Sequence, residues 1–141
     1  MNKDIYVTVR GSHRIGDGED VVESTSDGHY LRRDDTDYIT YSETDENGME
    51  TKTLLKIRPG YVQVTRKGAV STSMELEQGK DHDSLYATGF GCVRITTKTK
   101  RVVVMRSDER ISVSAEYVLA QDGQTVSRCR LDIKVAQKAE Q

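Results

Sequence analysis

Apolar and polar residues alternate along most of this chain, and that period of two is the feature that most constrains its fold. In residues 5–9, 111–119 and 129–135, every second side chain is apolar or a cysteine. Successive side chains of a β-strand point to opposite faces, so this pattern predicts strands that bury one face. Helical periodicity of comparable length is absent from the sequence, and we therefore predict an all-β protein.

Short turn signals separate the strand-like runs and predict antiparallel hairpins. Pro59-Gly60 suits a type II turn, and Asn47-Gly48 is a second hairpin signal. Runs at this spacing predict an up-and-down meander of about eight to ten antiparallel strands. Closing the meander removes two exposed edges. We therefore expect residues 1–141 to form one up-and-down β-barrel domain, with a β-sandwich as the alternative.

Three glycines that follow polar pairs are predicted to have positive φ and to close three-residue hairpin loops. They are Gly68, Gly79 and Gly123. A two-residue turn at Asp122-Gly123 would place arginines on the apolar face, because a shift of one residue reverses every side chain. The strand pairs that the longer loops predict are Val64–Val70, Met74–His82, Thr72–Ser84, Val70–Tyr86, Ala115–Cys129 and Val113–Leu131.

The segment KDHDSLYATGFG (residues 80–91) brings a histidine, an aspartate and a serine together in sequence. On a strand, Asp83 points away from His82 and Ser84. A Ser–His–Asp relay needs the carboxylate on the imidazole and the imidazole on the hydroxyl, which neighbouring strand positions cannot provide. The segment therefore predicts no catalytic triad, and we expect no catalytic residues.

The predicted register instead turns a row of polar side chains into the barrel. The inward polar residues that it predicts are Tyr38, Thr40, Thr72, His82, Ser84, Tyr86 and Tyr117. Buried polar groups need partners, which are protein groups, water or a ligand. Three interpretations stay open: a self-satisfied network, a register that leaves the row in solvent, or a ligand cavity. The candidate ligand-binding residues are His82, Ser84, Tyr86, Thr72, Tyr38 and Tyr117.

Three stretches of the sequence resemble a known family. The run GAVSTSMELEQGKDHDSLYATGFG (residues 68–91), the start IYVTVRGSHR and the run TKTLLKI are similar to the YwiB-like family of uncharacterised bacterial proteins. The resemblance covers nearly the whole chain. It implies a calycin-type barrel related to lipocalins, in small cytoplasmic proteins without an established activity. The lipocalin Gly-x-Trp signature is missing, because the chain has no Trp.

Charge and composition weigh against several classes of partner. The net charge is −2 and the pI about 5.9, and the basic stretch from Arg94 to Arg106 lacks the aromatic residues that stack on bases. The acidic segments 17–20 and 34–37 do not match calcium-loop spacing and are interpreted as ordinary turns. No apolar run is long enough to cross a bilayer. We expect no nucleic acid, membrane, metal or cofactor as a partner.

The two cysteines are far apart and each lies in a strand-like run. Cys92 and Cys129 are predicted to be reduced, buried thiols of a cytoplasmic protein, with a disulfide as the alternative.

Two functions from different classes remain. One is a barrel that binds a small molecule in a mixed polar and apolar pocket. The other is a filled barrel that acts as an accessory or protein-interaction module. Catalysis is third, since no constellation supports it.

Overall fold

The computed structural model describes residues 1, 3–68, 71–88 and 91–138, apart from the side chain of Thr88. This part of the chain contains strands and no helix, so the all-β prediction is confirmed. No described segment is a long apolar helix that could span a membrane. The strands are β1 (Asp4–Ile15), β2 (Gly18–Arg33), β3 (Thr36–Thr44), β4 (Glu50–Arg58), β5 (Tyr61–Lys67), β6 (Thr72–Glu77), β7 (Asp81–Thr88), β8 (Gly91–Arg106), β9 (Arg110–Gln121) and β10 (Gln124–Gln137).

The ten strands form one antiparallel sheet that curls into a nearly closed barrel. Their order is β6-β5-β4-β3-β2-β1-β10-β9-β8-β7. Apart from β6 and β7, strands that follow each other in sequence are paired in the sheet, and the first strand, β1, pairs with the last, β10. The sheet edges, β6 and β7, meet at a seam. Among the described residues, the backbones of these strands pair across it only at the isolated bridge between Ser71 and Ala87. The barrel prediction is confirmed over the sandwich.

The hairpin at Gly123 shows how a wrong turn can still give the right faces. Asp122 and Gly123 have φ values of 52° and 80° and form a two-residue turn that pairs Gln121 with Gln124, so the predicted three-residue loop is wrong. A bulge between Thr125 and Ser127 then shifts the register by one residue. That shift returns the apolar side chains to the interior, and Ala115 pairs with Leu131 instead of Cys129.

The other two predicted loops differ from the structure as well. The φ of Gly68 is not positive, and Val64 pairs with Met74, because the connection between β5 and β6 is longer than three residues. Val70, part of that connection, lies outside the described residues. Gly79 has the predicted positive φ of 75°. The predicted ladder from Met74–His82 to Thr72–Ser84 is nevertheless wrong, since β6 and β7 separate at the seam.

The inward orientation predicted for Tyr38 and Thr40 is wrong. The connection at Asn47-Gly48 spans residues 45–49, because Thr44 pairs with Glu50. A five-residue loop reverses the parity that a two-residue turn would give, so Ile39 and Tyr41 face the core. Tyr38 lies on the outer face, where its ring contacts the ammonium group of Lys56 at 5.9 Å.

The barrel interior has three layers. Along β10, the inward side chains run from Val135 through Ile133 and Leu131 to Cys129, all at most 7% exposed. The same aliphatic layer fills the middle of the barrel on other strands, with Leu55, Ile57, Val62 and Leu76 at 0–1% exposed. One end of this layer is covered by an ion-pair network around Asp37. The other end is lined by polar side chains.

Candidate functional site

Inward-facing polar side chains line the end of the barrel opposite Asp37. We call this group the polar belt; its residues are His13, Tyr41, Thr53, Arg66, Thr72, Ser84, Tyr86, Thr97, Thr99, Tyr117 and Cys129. They come from nine of the ten strands, β2 being the exception. The belt gathers four of the predicted site residues, namely Thr72, Ser84, Tyr86 and Tyr117. It excludes Tyr38, which faces outward, and His82, which lies in the seam.

One row of the belt crosses four neighbouring strands. Thr99 is opposite Tyr117, Tyr117 is opposite Cys129, and Cys129 is opposite His13. Directly opposed residues of an antiparallel pair share a face, so these side chains are in mutual reach. The His13 Nδ1 lies 3.2 Å from the Cys129 Sγ, and the Ser127 Oγ is also 3.2 Å from that sulfur.

The thiol of Cys129 has a possible base beside it but is not activated as a nucleophile. Burial raises the pKa of Cys129, and the hydrogen bonds from Ser127 and Tyr117 only partly oppose this effect. The reactive form of cysteine is the thiolate. The Cys129 thiol is therefore a protonated, polar part of the belt at physiological pH.

The two thiols are expected to differ by more than tenfold in their rate of reaction with Ellman's reagent. Cys92 is exposed and Cys129 is buried, so the prediction of two buried thiols is wrong for Cys92, while both are free. We expect one fast and one slow equivalent in the native protein, and loss of the fast equivalent in Cys92→Ser. Two equally fast thiols in wild type would contradict the placement of Cys129 inside the barrel.

The β7 side of the belt carries hydroxyl groups without partners. Ser84 and Tyr86 alternate with the exposed Asp83 and Leu85, and the one hydrogen-bond partner of the Tyr86 hydroxyl among the described residues is the Met74 sulfur, at 3.9 Å. The buried side-chain oxygens of Ser84, Thr97 and Thr99 accept or donate no hydrogen bond within the described part of the protein. Thr97 is 1% exposed and Thr99 is 5% exposed. Hydroxyl groups this deeply buried normally have a hydrogen-bonding partner.

His82 has protein partners at both ring nitrogens. It lies opposite Thr97, and its ring reaches across the seam between β7 and β6. The Nε2 is 3.0 Å from the Glu77 Oε1, and the Nδ1 is 3.3 Å from the Glu75 Oε2. Both contacts can be hydrogen bonds only when the ring carries two protons. The geometry thus gives His82 a role in holding the seam together.

At the same end of the barrel, a second row of the belt crosses the strands from β3 to β6. Tyr41 is opposite Thr53, Thr53 is opposite Arg66, and Arg66 is opposite Thr72. Tyr41 and Thr53 are buried, at 5% and 3% exposed, whereas the longer Arg66 side chain is exposed. Sequence reasoning found only Thr72 of this row, because it assigned Arg66 to a turn and turned Tyr41 outward. The available signal was the spacing of Val62, Val64 and Arg66, which are every second residue of one strand and therefore share a face.

At the opposite end, Asp37 closes the barrel. Its carboxylate is 1% exposed and accepts hydrogen bonds from the Arg106 Nε at 2.7 Å, the Arg32 Nη1 at 3.0 Å and the Tyr30 hydroxyl at 2.5 Å. Burial alone would raise the pKa of Asp37, but the hydrogen bonds from Arg106, Tyr30 and Arg32 outweigh it and lower that pKa. The three charged side chains of this network, Asp37, Arg32 and Arg106, are paired with one another, so the network is a structural plug.

A groove of about 620 Å³ also lies on the outer face of β2 to β5, and its lining includes Thr40, Leu54, Thr65, Lys52 and Lys67. These side chains belong to the convex surface, and among the described residues that line the groove only Tyr41, whose side chain belongs to the belt, carries a buried hydroxyl group without a partner. Within the described residues, no three His, Cys, Asp or Glu side chains are grouped so as to hold a metal ion. The belt is therefore the stronger candidate site.

Known proteins share this architecture. The solved crystal structure of the ywiB protein from Bacillus subtilis superposes with a TM-score of 0.84, covering 97% of this chain and 93% of that one at 23% sequence identity. The uncharacterized beta-barrel protein YwiB of Bacillus subtilis (strain 168) is 27% identical over 119 residues, which is 83% of each chain. The model of DUF1934, a domain of unknown function, matches residues 7–133. The chain therefore belongs to the DUF1934 family of β-barrel proteins.

Proposed function

We propose that the protein binds a small molecule at the polar belt, as a calycin-like binding barrel. The observation that carries the proposal is the set of four buried hydroxyl groups, on Tyr41, Ser84, Thr97 and Thr99, that form no hydrogen bond within the described part of the protein. A buried polar group without a partner costs about 1–3 kcal/mol. A ligand that hydrogen-bonds to these groups would recover that free energy on binding.

The layering of the interior supports the same proposal. The Asp37 plug covers one end, the aliphatic layer fills the middle, and the belt surrounds the other end. Small-molecule sites combine an apolar wall with a few polar groups that orient the ligand. Met74 and Val64, at 9% and 6% exposed, lie next to Thr72 and Arg66 on the inner faces of β6 and β5 and supply such a wall.

We propose binding without catalysis. The raised pKa of Cys129 keeps the thiol of the belt in its unreactive form, which supports this view. The proposal needs no cofactor, metal, membrane or nucleic acid. The two free cysteines, one of them exposed, suit a reducing compartment, so we propose a cytoplasmic location.

Calorimetric titration with a neutral probe, 2-naphthamide, tests the proposal. Its amide can donate and accept hydrogen bonds, and its rings can contact the apolar wall. We expect saturable binding to wild type, and binding about tenfold weaker for Thr97→Val/Thr99→Val, since two hydrogen bonds are lost. Because valine has nearly the shape of threonine, the free energy of unfolding in urea should stay unchanged or rise.

Thr96→Val is the matched control, since Thr96 is on the same strand but bonds outward to Asp83 at 2.6 Å. It should leave probe binding unchanged. Wild type that shows no saturable binding at about 1 mM probe would overturn the proposal in favour of a filled barrel. Loss of more than about 1 kcal/mol of stability in the Thr97/Thr99 variant would also overturn it, because the hydroxyl groups would then be needed for folding.

A further inference from the structure

Arg66 is a cationic side chain that faces the mouth of the barrel. On β5 it continues the inward series Val62, Val64, Arg66, of which the two valines are 0% and 6% exposed. Its strand neighbours on that face are Thr53 and Thr72. An arginine at the end of such a series extends its guanidinium along the inner wall towards solvent.

The other inward-facing arginines differ from Arg66 because they form ion pairs. Arg32 and Arg106, at the plugged end, both bind the Asp37 carboxylate, at 3.0 and 2.7 Å. By contrast, no carboxylate among the described residues lies within ion-pair distance of Arg66. The belt therefore carries a guanidinium whose charge is not neutralised by the part of the chain that the structure describes.

The charge of Arg66 acts on tyrosine side chains from three different strands of the belt. Burial raises the pKa values of Tyr41, Tyr86 and Tyr117, and in all three cases the Arg66 charge opposes that rise. These tyrosines are on β3, β7 and β9, so a single cation faces three hydroxyl groups from different strands. Hydroxyl groups donate hydrogen bonds and guanidinium groups donate in pairs, and both suit a carboxylate.

One carboxylate limits the charge that the mouth can accept. Glu43 follows Tyr41 on the inner face of β3, accepts a hydrogen bond from the Ser24 Oγ at 3.4 Å, and raises the pKa of Tyr41 by its charge. A ligand with one negative charge gains the attraction of Arg66 and meets this single repulsion. A second negative charge would find no further arginine or lysine among the described belt residues.

We propose that Arg66 is the anion-binding residue of the polar belt and that the ligand class is small organic acids with one negative charge. This inference rests on the proposed binding function and adds the charge of the ligand. The acid group would lie against Arg66 and the tyrosine hydroxyls, and the rest of the molecule would contact Thr97, Thr99 and the aliphatic wall.

A matched pair of probes tests it. The anion 2-naphthoate and the amide 2-naphthamide have the same shape and differ in charge, so the ratio of their dissociation constants isolates the charge effect. We expect wild type to prefer the anion by about tenfold, as for a hydrogen bond to a charged group. Arg66→Gln should remove the preference, bringing the ratio of the two dissociation constants close to one. Arg66→Lys should keep part of it, because lysine retains the charge without the planar fork.

Two control variants complete the experiment. Arg58→Gln removes an outward arginine that stacks on Tyr61, and the preference should survive it. Glu43→Gln should strengthen naphthoate binding by about two- to fivefold, since it removes a nearby repulsion of surface strength. If wild type binds both probes equally, or if Arg66→Gln keeps the preference, the inference fails while the binding function stands. If wild type binds neither probe, the proposed function itself fails.

Discussion

Replacing Asp37 with Asn is expected to lower the free energy of unfolding by about 3 kcal/mol, the lower end of the range for a broken buried ion pair. The substitution leaves the guanidinium groups of Arg32 and Arg106 facing a neutral amide. Their side chains are 38% and 35% exposed, which lets water compensate part of the loss. Urea denaturation monitored by circular dichroism measures the change.

The same variant should change the acid response. The folded-state pKa of Asp37 is lowered, so its stabilising contribution is present above the ordinary carboxyl pKa and is lost as pH falls through the lower folded value. Wild type should therefore lose stability between about pH 5 and pH 2 more steeply than Asp37→Asn. Parallel acid curves would show that Asp37 is not ionised within the plug.

Asp132→Asn is the matched control. Asp132 pairs with Arg130 at 3.1 Å on the outer face, with 55% of the arginine side chain exposed. Exposed ion pairs contribute about 0–1 kcal/mol, so this variant should change stability by less than that. Equal losses for the two variants would contradict a special role for the plug.

Asp37 also shows where sequence reasoning ends. The segment Asp34-Asp35-Thr36-Asp37 was interpreted as an acidic turn, and Asp34 and Asp35 do form one, with φ values of 51° and 63°. Asp37 has the same composition around it but is the most buried carboxylate described. Its main partner, Arg106, is 69 residues away in sequence. Local composition carries no signal for such a pair, because the barrel closure brings the two together.

The strand faces were predicted correctly where the predicted and observed registers differ by an even number of residues, because such a shift leaves every side chain on the same face. On β9 and β10, the alternation of Ile111, Val113 and Ala115 fixed the inner face, and the bulge near Val126 compensated for the wrong turn. On β3 the alternation was weaker, because Tyr38, Thr40 and Tyr41 suit either face. On this strand the length of the loop between β3 and β4 decides which side chains face the core. Asp45 stabilises the longer loop by accepting hydrogen bonds from the backbone N–H groups of Asn47 and Met49.

The candidate site was only partly predictable for the same reason. Thr72, Ser84, Tyr86 and Tyr117 came from strands whose faces were assigned correctly. Arg66 was missed because residues 66–68 were predicted to form the hairpin loop, whereas β5 continues to Lys67. Thr97 and Thr99 lie in a run of threonines and lysines that gives little apolar contrast. Only their pairing with β9, which has strong alternation, shows that they face inward.

Gly28→Ala is expected to destabilise the barrel by about 2–3 kcal/mol, as overpacking at a site that cannot relax. A Cβ atom at this position would lie 2.8 Å from the Thr40 carbonyl oxygen and 3.1 Å from the Val7 Cγ2. Gly28 pairs with Ile5 on one side and with Tyr41 on the other, so β1, β2 and β3 are all fixed at this point. The backbone oxygen cannot move away without breaking the β2–β3 ladder, which begins here.

Gly11→Ala provides the control from a neighbouring strand. Gly11 also faces the interior side of the sheet, but a Cβ there would have no atom within 4 Å. Alanine reduces the entropy of the unfolded chain, so this variant should be neutral or more stable by up to about 1 kcal/mol. Urea midpoints at a constant m-value compare the two. If both variants behave alike, the close approach of β2 and β3 at Gly28 is absent in solution. If only Gly28→Ala loses stability, the glycine is required by that contact, because strand propensity would affect both positions equally.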